Sequence, residues 1–307
     1  MNVQVPVQSP VISRHDEIAP IARRWHVGRI VGAAIAAIIV ALLAQSFFTN
    51  EAVNWPMVRQ YFFSESILDG LEMTLLLTAV SMAIALILAT LIANMRLSEN
   101  PVLRAVSSAY VWLFRGIPLL VLLILMFNFA LLYPTISLSL PGVGTLWSAS
   151  SQDLISPFWA AIIAFSVHQS SYTSEVIRSS ILAVSTGQVE AAEALGMSKL
   201  RTFRRIVLPQ ALRIAVPPIA NDTINLLKGT ALVAFISVAD LLYSVQQIYT
   251  RNFQVVPLLI VATIWYVLIV SVMSVGQTAL ERRLGRSSKA KRSPAAKLTK
   301  SRQGKTS

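Results

Sequence analysis

The long apolar runs constrain this chain most. Ile30 to Phe48 is nineteen residues without a charge. At about 1.5 Å per residue it nearly crosses a hydrocarbon core of about 30 Å. Five further runs follow, near Leu71 to Asn94, Ala105 to Leu132, Phe158 to Arg178, Ile214 to Tyr243 and Val256 to Leu280. In lipid each backbone N–H and C=O needs a partner within the protein, so only helices and closed barrels span. These runs are too long and too apolar for barrel strands. The expected fold is therefore an all-α integral membrane bundle of six spans. The composition agrees: 55% hydrophobic, 13% charged, mean hydropathy +0.63. Such values exclude an ordinary soluble domain. No cysteine is present, so no disulfide framework or thiol chemistry arises. Three histidines without a carboxylate cluster give no metal site.

The ends of the chain read differently. Residues 1–27 are polar and hold Pro6, Pro10 and Pro20, which suggests a disordered tail. The run at 28–48 exceeds the usual h-region of about 7–15 residues, which favours a retained span over a cleaved signal peptide. The membrane domain is expected over 66–282, and 283–307 is a basic tail. The formal charge of +12 is unevenly placed. With both termini in the cytoplasm, the cytoplasmic segments hold 22 Lys or Arg, and the external ones hold only Arg59 and Arg251. The positive-inside rule selects that orientation. The same unevenness explains the charge without a nucleic-acid role, and it gives the last tail an affinity for anionic lipid.

One polar, basic island interrupts the pattern: Val189 to Arg213, between the fourth and fifth spans. Its spacing predicts two short helices with a turn between them. Ser185 or Thr186 can cap the first, with Gln188 placed for a capping box. Gly196 can end it in a left-handed conformation. Ser198 can cap the second. Leu200, Phe203 and Val207 make an apolar stripe, and Lys199, Arg201, Arg204 and Arg205 fill the other faces. Pro209 stops the second helix or starts the next element.

Glu190-Ala191-Ala192, Gly196, Ile206, Leu208 and Pro209 stand at the spacing of the "EAA" loop. The stretch resembles that loop in the permease subunits of binding-protein-dependent ABC importers. The resemblance implies that these seven residues form coupling helices that seat in a cytoplasmic ATPase. Further stretches are similar to the polar amino acid subfamily: Gly70 with Thr74-Leu75 and Leu77-Thr78, Arg115-Gly116-Ile117-Pro118-Leu119-Leu120, Tyr172 with Glu175-Val176-Ile177-Arg178, and Asn225-Leu226-Leu227-Lys228 with Thr230. The similarity runs from about Gly70 to Leu280. It implies a type-1 core of five helices, to which the first span is an addition. Gly229 and Ser179-Ser180 depart from the family pattern, which leaves the fold reading intact and weakens substrate inference nearby. The implied partners are an ABC ATPase, an external solute-binding protein and a second permease chain, identical or homologous. The implied location is the bacterial inner membrane. ATP and Mg would be used by the partner ATPase, with no cofactor bound by this chain.

Polar groups inside spans are expensive and call for a role. Asn221, Asn225 and Lys228 fall on one face of the fifth span. Gln169, Tyr172 and Glu175 follow one another down the fourth, beside His168. These residues either line a substrate path or hold helices together. Arg115, Gly116 and Pro118 either form a hinge or gate, or separate an interfacial helix from a span. No phosphate-binding glycine loop and no nucleophile motif occurs, so no catalytic residue and no ATPase site is expected in this chain. The alternative function is a secondary transporter or channel built on the polar stripe around Lys228.

Overall fold

The computed structural model describes residues 27–140 and 144–289. The expected disordered tail up to His26 and the basic tail from Ala290 lie outside the described residues. Two units emerge, one ending at Glu51 and one starting at Ala52. The first holds helix α1 (Val27–Thr49), whose apolar side chains are exposed all round, as a lipid-facing helix requires.

The second unit opens with α2 (Trp55–Phe62), whose N-cap Asn54 accepts the Met57 N–H. Helix α3 (Glu65–Leu97) follows, then α4 (Pro101–Gly116), α5 (Leu119–Phe127) and the one-turn α6 (Phe129–Leu132). The strands β1 (Thr135–Leu140) and β2 (Gly144–Ser150) pair antiparallel, with a register shift at Leu138/Ser139. This hairpin stands where the prolines and serines suggest only a loop. The short α7 (Ser151–Leu154) leads to α8 (Pro157–Leu182), whose N-cap Ser156 accepts the Trp159 N–H. Then come α9 (Thr186–Ala194), α10 (Lys199–Thr202), α11 (Leu208–Gly229), α12 (Leu241–Asn252) and α13 (Val255–Lys289).

By length and composition three helices can cross a membrane, α1, α3 and α13, or five if each bent pair counts as one span. Helix α8 is long enough at 26 residues, but its polar run from His168 to Tyr172 makes it less apolar. The third expected span is broken. Between α4 and α5 the chain turns by 99°. Pro118 bars Ile117 from the helical region, and Ile117 sits at φ −89°, ψ 124°. Helix α13 runs past its expected end at Leu280 through the first residues of the basic tail.

The core seam lies between α3 and α8. On α3, Gly70, Thr74, Thr78, Ser81, Ala85, Ala89 and Ala93 recur every three or four residues, and all are buried. Ala160, Ala161 and Ala164 face them from α8. Small residues let helix backbones approach closely, which is how helices associate where lipid is as apolar as the partner. Thr74 and Thr78 bond the carbonyls four residues earlier, whereas the buried Ser81 hydroxyl in the same stripe has no partner among the described residues. Leu77, Met82, Leu122, Leu123, Phe165 and Leu226 fill the space beside it.

Candidate functional site: the projecting helical hairpin

Helix α9 ends in a left-handed turn at Gly196, with φ of +76°. The Gly196 N–H donates to the Glu193 carbonyl at 2.9 Å, and the Met197 N–H to the Ala192 carbonyl at 3.1 Å. That pair of bonds satisfies carbonyls the helix end would otherwise leave open. The expected cap at the other end takes another form. Ser185 is the N-cap but its side chain makes no capping bond, and Thr186 is already helical. Gln188 reaches away instead and accepts from Gln210 at 2.7 Å. Ser198 likewise precedes α10 without a side-chain bond.

The second short helix does not stop at Pro209. A π-helical turn, Phe203–Val207, joins α10 to α11, and Pro209 sits in the first turn of α11. Pro217 and Pro218 lie inside α11 and do not interrupt it. The fifth span changes form only at Gly229, where a 3-10 turn, Thr230–Ile236, begins. It then bends by 44° into α12, which fills the segment expected to be a connection.

Val184, Val207 and Ala211 bury together, with Ile181 and Val189 against them. This small cluster ties the hairpin to the ends of α8 and α11. The expected apolar stripe therefore splits: Val207 is inside, whereas Leu200 is 66% exposed and Phe203 lies at the surface. Leu195 is 85% exposed at the tip of α9 and was not singled out by the sequence pattern. The signal was there, since it is a large apolar residue directly before the left-handed glycine. Glu190 and Ala191 are exposed, Ala192 is buried, and Ile206 and Leu208 are intermediate. A hollow of about 610 Å³ lies along the hairpin, lined by Val189, Glu190, Glu193, Lys199 and Phe203 among others. Apolar knobs ringed by Lys199, Arg201, Arg204 and Arg205 make a surface for a folded partner with apolar pockets and acidic rims.

The intramembrane residues do not form one site. Gln169 is buried, and its amide donates to Thr173 at 3.1 Å. Glu175 is held by two arginines: Arg96 reaches one carboxylate oxygen and Arg178 the other, its Nε at 3.0 Å. Glu175 thus ties α3 to α8. Tyr172 lies under the Arg115 guanidinium, which is 4.7 Å from the ring centroid. His168 packs against the same tyrosine. Asn221, Asn225 and Lys228 are exposed along α11, away from the chain's own core. Among the described residues no hydrogen bond or ion pair joins Asn225 or Lys228 to Gln169, Tyr172 or Glu175. Gly116 closes α4 and Pro118 precedes α5, so the Arg115 motif marks the 99° turn.

A node near the start of α3 escaped the sequence reading. Asp240 is fully buried, caps α12 by accepting the Tyr243 N–H at 2.9 Å, and accepts from the Tyr266 hydroxyl at 3.3 Å. Thr74 accepts the Leu241 N–H at 3.1 Å. A Cβ on Gly70 would stand 2.5 Å from Ser244 Oγ and 2.8 Å from the Asp240 carbonyl oxygen. Only glycine allows this approach of α3 to α12.

Residues 85–286 match the model of the binding-protein-dependent transport system inner membrane component. The chain belongs to that family. This inner membrane component is 39% identical over 259 residues to the arginine transport system permease protein ArgU of Corynebacterium glutamicum, covering 84% of this chain and 80% of that one. It is 38% identical over 236 residues to the L-cystine transport system permease protein TcyB of Bacillus subtilis, covering 76% and 93%. Among solved structures it is similar to an amino acid ABC transporter crystallised with histidines, with a TM-score of 0.64, 30% identity and coverage of 74% and 98%. The MetNI methionine ABC transporter shares the fold, with a TM-score of 0.58 at 19% identity. The α9–α10 hairpin and the 99° turn both fall within the matched residues of this inner membrane component.

Proposed function

We propose that this inner membrane component is the permease subunit of an ATP-driven importer for a polar amino acid or a close analogue. An external solute-binding protein delivers the substrate, and a second permease chain, identical or homologous, completes the path. A separate ATPase, using ATP and Mg, docks on the α9–α10 hairpin in the cytoplasm, where both termini also lie. The relatives' names, which specify arginine and L-cystine, support the substrate class.

The hairpin's construction carries this reading. Glu190, Ala191, Ala192 and Gly196 build a closed turn that presents Leu195, while Ile206, Leu208 and Pro209 join α10 to α11 without a break. A push on α10 is therefore a push on α11, which bears Asn225 and Lys228. Continuous helices transmit displacement as rigid bodies, and a domain closing on the hairpin biases the permease between two states. The experiment is reconstitution with the ATPase and binding protein in vesicles. Uptake of labelled amino acid should require all three components and ATP, and the ATPase should stay bound in mild detergent. Uptake by the purified chain alone would overturn the reading in favour of a secondary transporter or channel.

A further inference from the structure

A cavity of about 560 Å³ lies between α3, α4 and α8, lined by Arg96, Ser108, Trp112, Arg115 and Glu175 among others. It sits at the end of α3 that the Lys/Arg asymmetry assigns to the cytoplasm. Its charges do not balance. Arg96 and Arg178 share the Glu175 carboxylate, and Arg178 alone already engages one of its oxygens twice. Among the described residues Arg115 forms no ion pair; it lies over Tyr172, and Glu175 of α8 and Asp222 of α11 act on it only from beyond ion-pair distance. Arg104 is exposed one turn before Ser108 on the same face of α4 and forms no ion pair among the described residues. Two guanidiniums of the lining, Arg96 and Arg115, thus face one carboxylate, Glu175, which Arg178 also engages, inside or beside a low-dielectric layer where uncompensated charge is expensive.

The rest of the wall is amphipathic. Trp112 is 78% exposed, and Val102, Val106 and Leu113 are exposed on the same short helix. Helix α4 is turned by 99° from α5, so it does not continue α5 across the membrane. Trp is favoured at headgroup depth, and Arg binds phosphate with a planar fork of donors.

We propose that this cavity binds the phosphate of an anionic phospholipid from the cytoplasmic leaflet. Arg96 and Arg115 hold the phosphate, Ser108 donates a further hydrogen bond, and the acyl chains run along Trp112 and the exposed apolar side of α4. Basic pockets between spans on the cytoplasmic side bind such headgroups. A free anion would satisfy the arginines and leave Trp112 and its apolar neighbours unused, which is why the lipid is the favoured source. The site lies against Glu175 and Arg178, at the end of α8 that leads into α9, so an occupied cavity would brace the root of the coupling hairpin.

The test is native mass spectrometry of the full chain in its assembly, delipidated and offered phosphatidylglycerol, phosphatidylcholine or inorganic phosphate. Phosphatidylglycerol should be retained, phosphatidylcholine should not, and millimolar phosphate should not displace the lipid. Arg115→Gln should weaken retention about fivefold and the added Arg96→Gln about fivefold again, whereas Arg115→Lys should keep most of it. Brominated phosphatidylglycerol should quench tryptophan fluorescence in the unaltered chain and less in Trp112→Phe. Equal retention by Arg115→Gln and Arg115→Lys would overturn the proposal. So would displacement by phosphate, or phosphatidylcholine bound as well as phosphatidylglycerol. In this cysteine-free chain, Trp112→Cys forming a disulfide with a second copy would also overturn it, by showing that protein covers the cavity. If the double variant is absent from the membrane, the two Arg115 variants still decide the matter.

Discussion

The α3–α8 seam and the α9–α10 hairpin use the same residue types in opposite ways. Along the α3 stripe, Gly70 removes side-chain bulk where α12 approaches and the alanines do so beside α8, and every residue of the stripe is buried. In the hairpin, Gly196 supplies a left-handed turn in open space, with no heavy atom within 4 Å of where its Cβ would be. The alanines there mostly face out, and the large apolar residues point to solvent. The seam stores stability, while the hairpin offers a surface. Damage to the first should therefore appear as lost protein, and damage to the second as lost coupling with the protein still present.

The largest effect is expected from Gly70→Val. Its Cβ would meet the Asp240 carbonyl, a backbone atom that cannot rotate away. Overpacking of this kind costs about 1–3 kcal/mol and more where the backbone must move. Membrane abundance and the melting temperature of the purified assembly should fall sharply; normal values would break the comparison at its rigid end. Next is Leu195→Asp, which removes an exposed apolar anchor without touching the fold. Abundance should hold, while ATPase association weakens by about thirtyfold, the scale of a lost interface anchor of about 2 kcal/mol. Unchanged association would show that the tip is not the contact.

Gly196→Val sharpens the contrast between the two glycines. A β-branched residue at φ of +76° is strained by about 1–3 kcal/mol, enough to misplace a one-turn helix and too little to remove a bundle from the membrane. Transport should fall strongly and stimulated ATP hydrolysis should be blunted, at near-normal abundance. Should abundance fall instead, the turn serves folding. Lys228→Met comes next: with an exposed side chain along α11, it should lower transport before it lowers abundance. The reverse order would make Lys228 an interhelical contact. The smallest effect belongs to Ser185→Ala. A lost N-cap usually costs about 0.5–2 kcal/mol, but this hydroxyl makes no capping bond, so stability and transport should stay unchanged. A measurable loss would show that the capping box forms when the ATPase is bound.

Two proline sites show where sequence reading succeeds and where it stops. Arg115-Gly116-Ile117-Pro118 signals a break, and the chain does turn there, because a residue before proline is kept out of the helical region. Pro217-Pro218 carries an equally strong local signal, yet α11 runs through it. Ala211 and Ala215 before them and Ile224, Leu226 and Leu227 after them are buried, and that packing keeps the segment helical across two missing donors. Pro209 left two readings open, a stop or a start, and packing decided for the start: it sits in the first turn of α11. Glu175 shows the same limit for the site. Its place within a span leaves a substrate path and a tie between helices both open, and only the structure shows that Arg96 of α3 and Arg178 share its carboxylate.

The sequence by itself determined the membrane class, the rough place of the long apolar helices, the hairpin between the fourth and fifth runs, and the left-handed turn at Gly196. Each follows from local rules: apolar length, backbone satisfaction in lipid, and the freedom of glycine. Only the tertiary structure decided that the third segment folds as two helices at 99°, and that the second coupling helix is the root of α11. It also paired Gly70 with Asp240 and Ser244 across 170 and more residues, and it laid Arg115 over Tyr172. These are facts about which surfaces meet. Contacts between distant segments are set by packing of whole helices, and no local pattern encodes them.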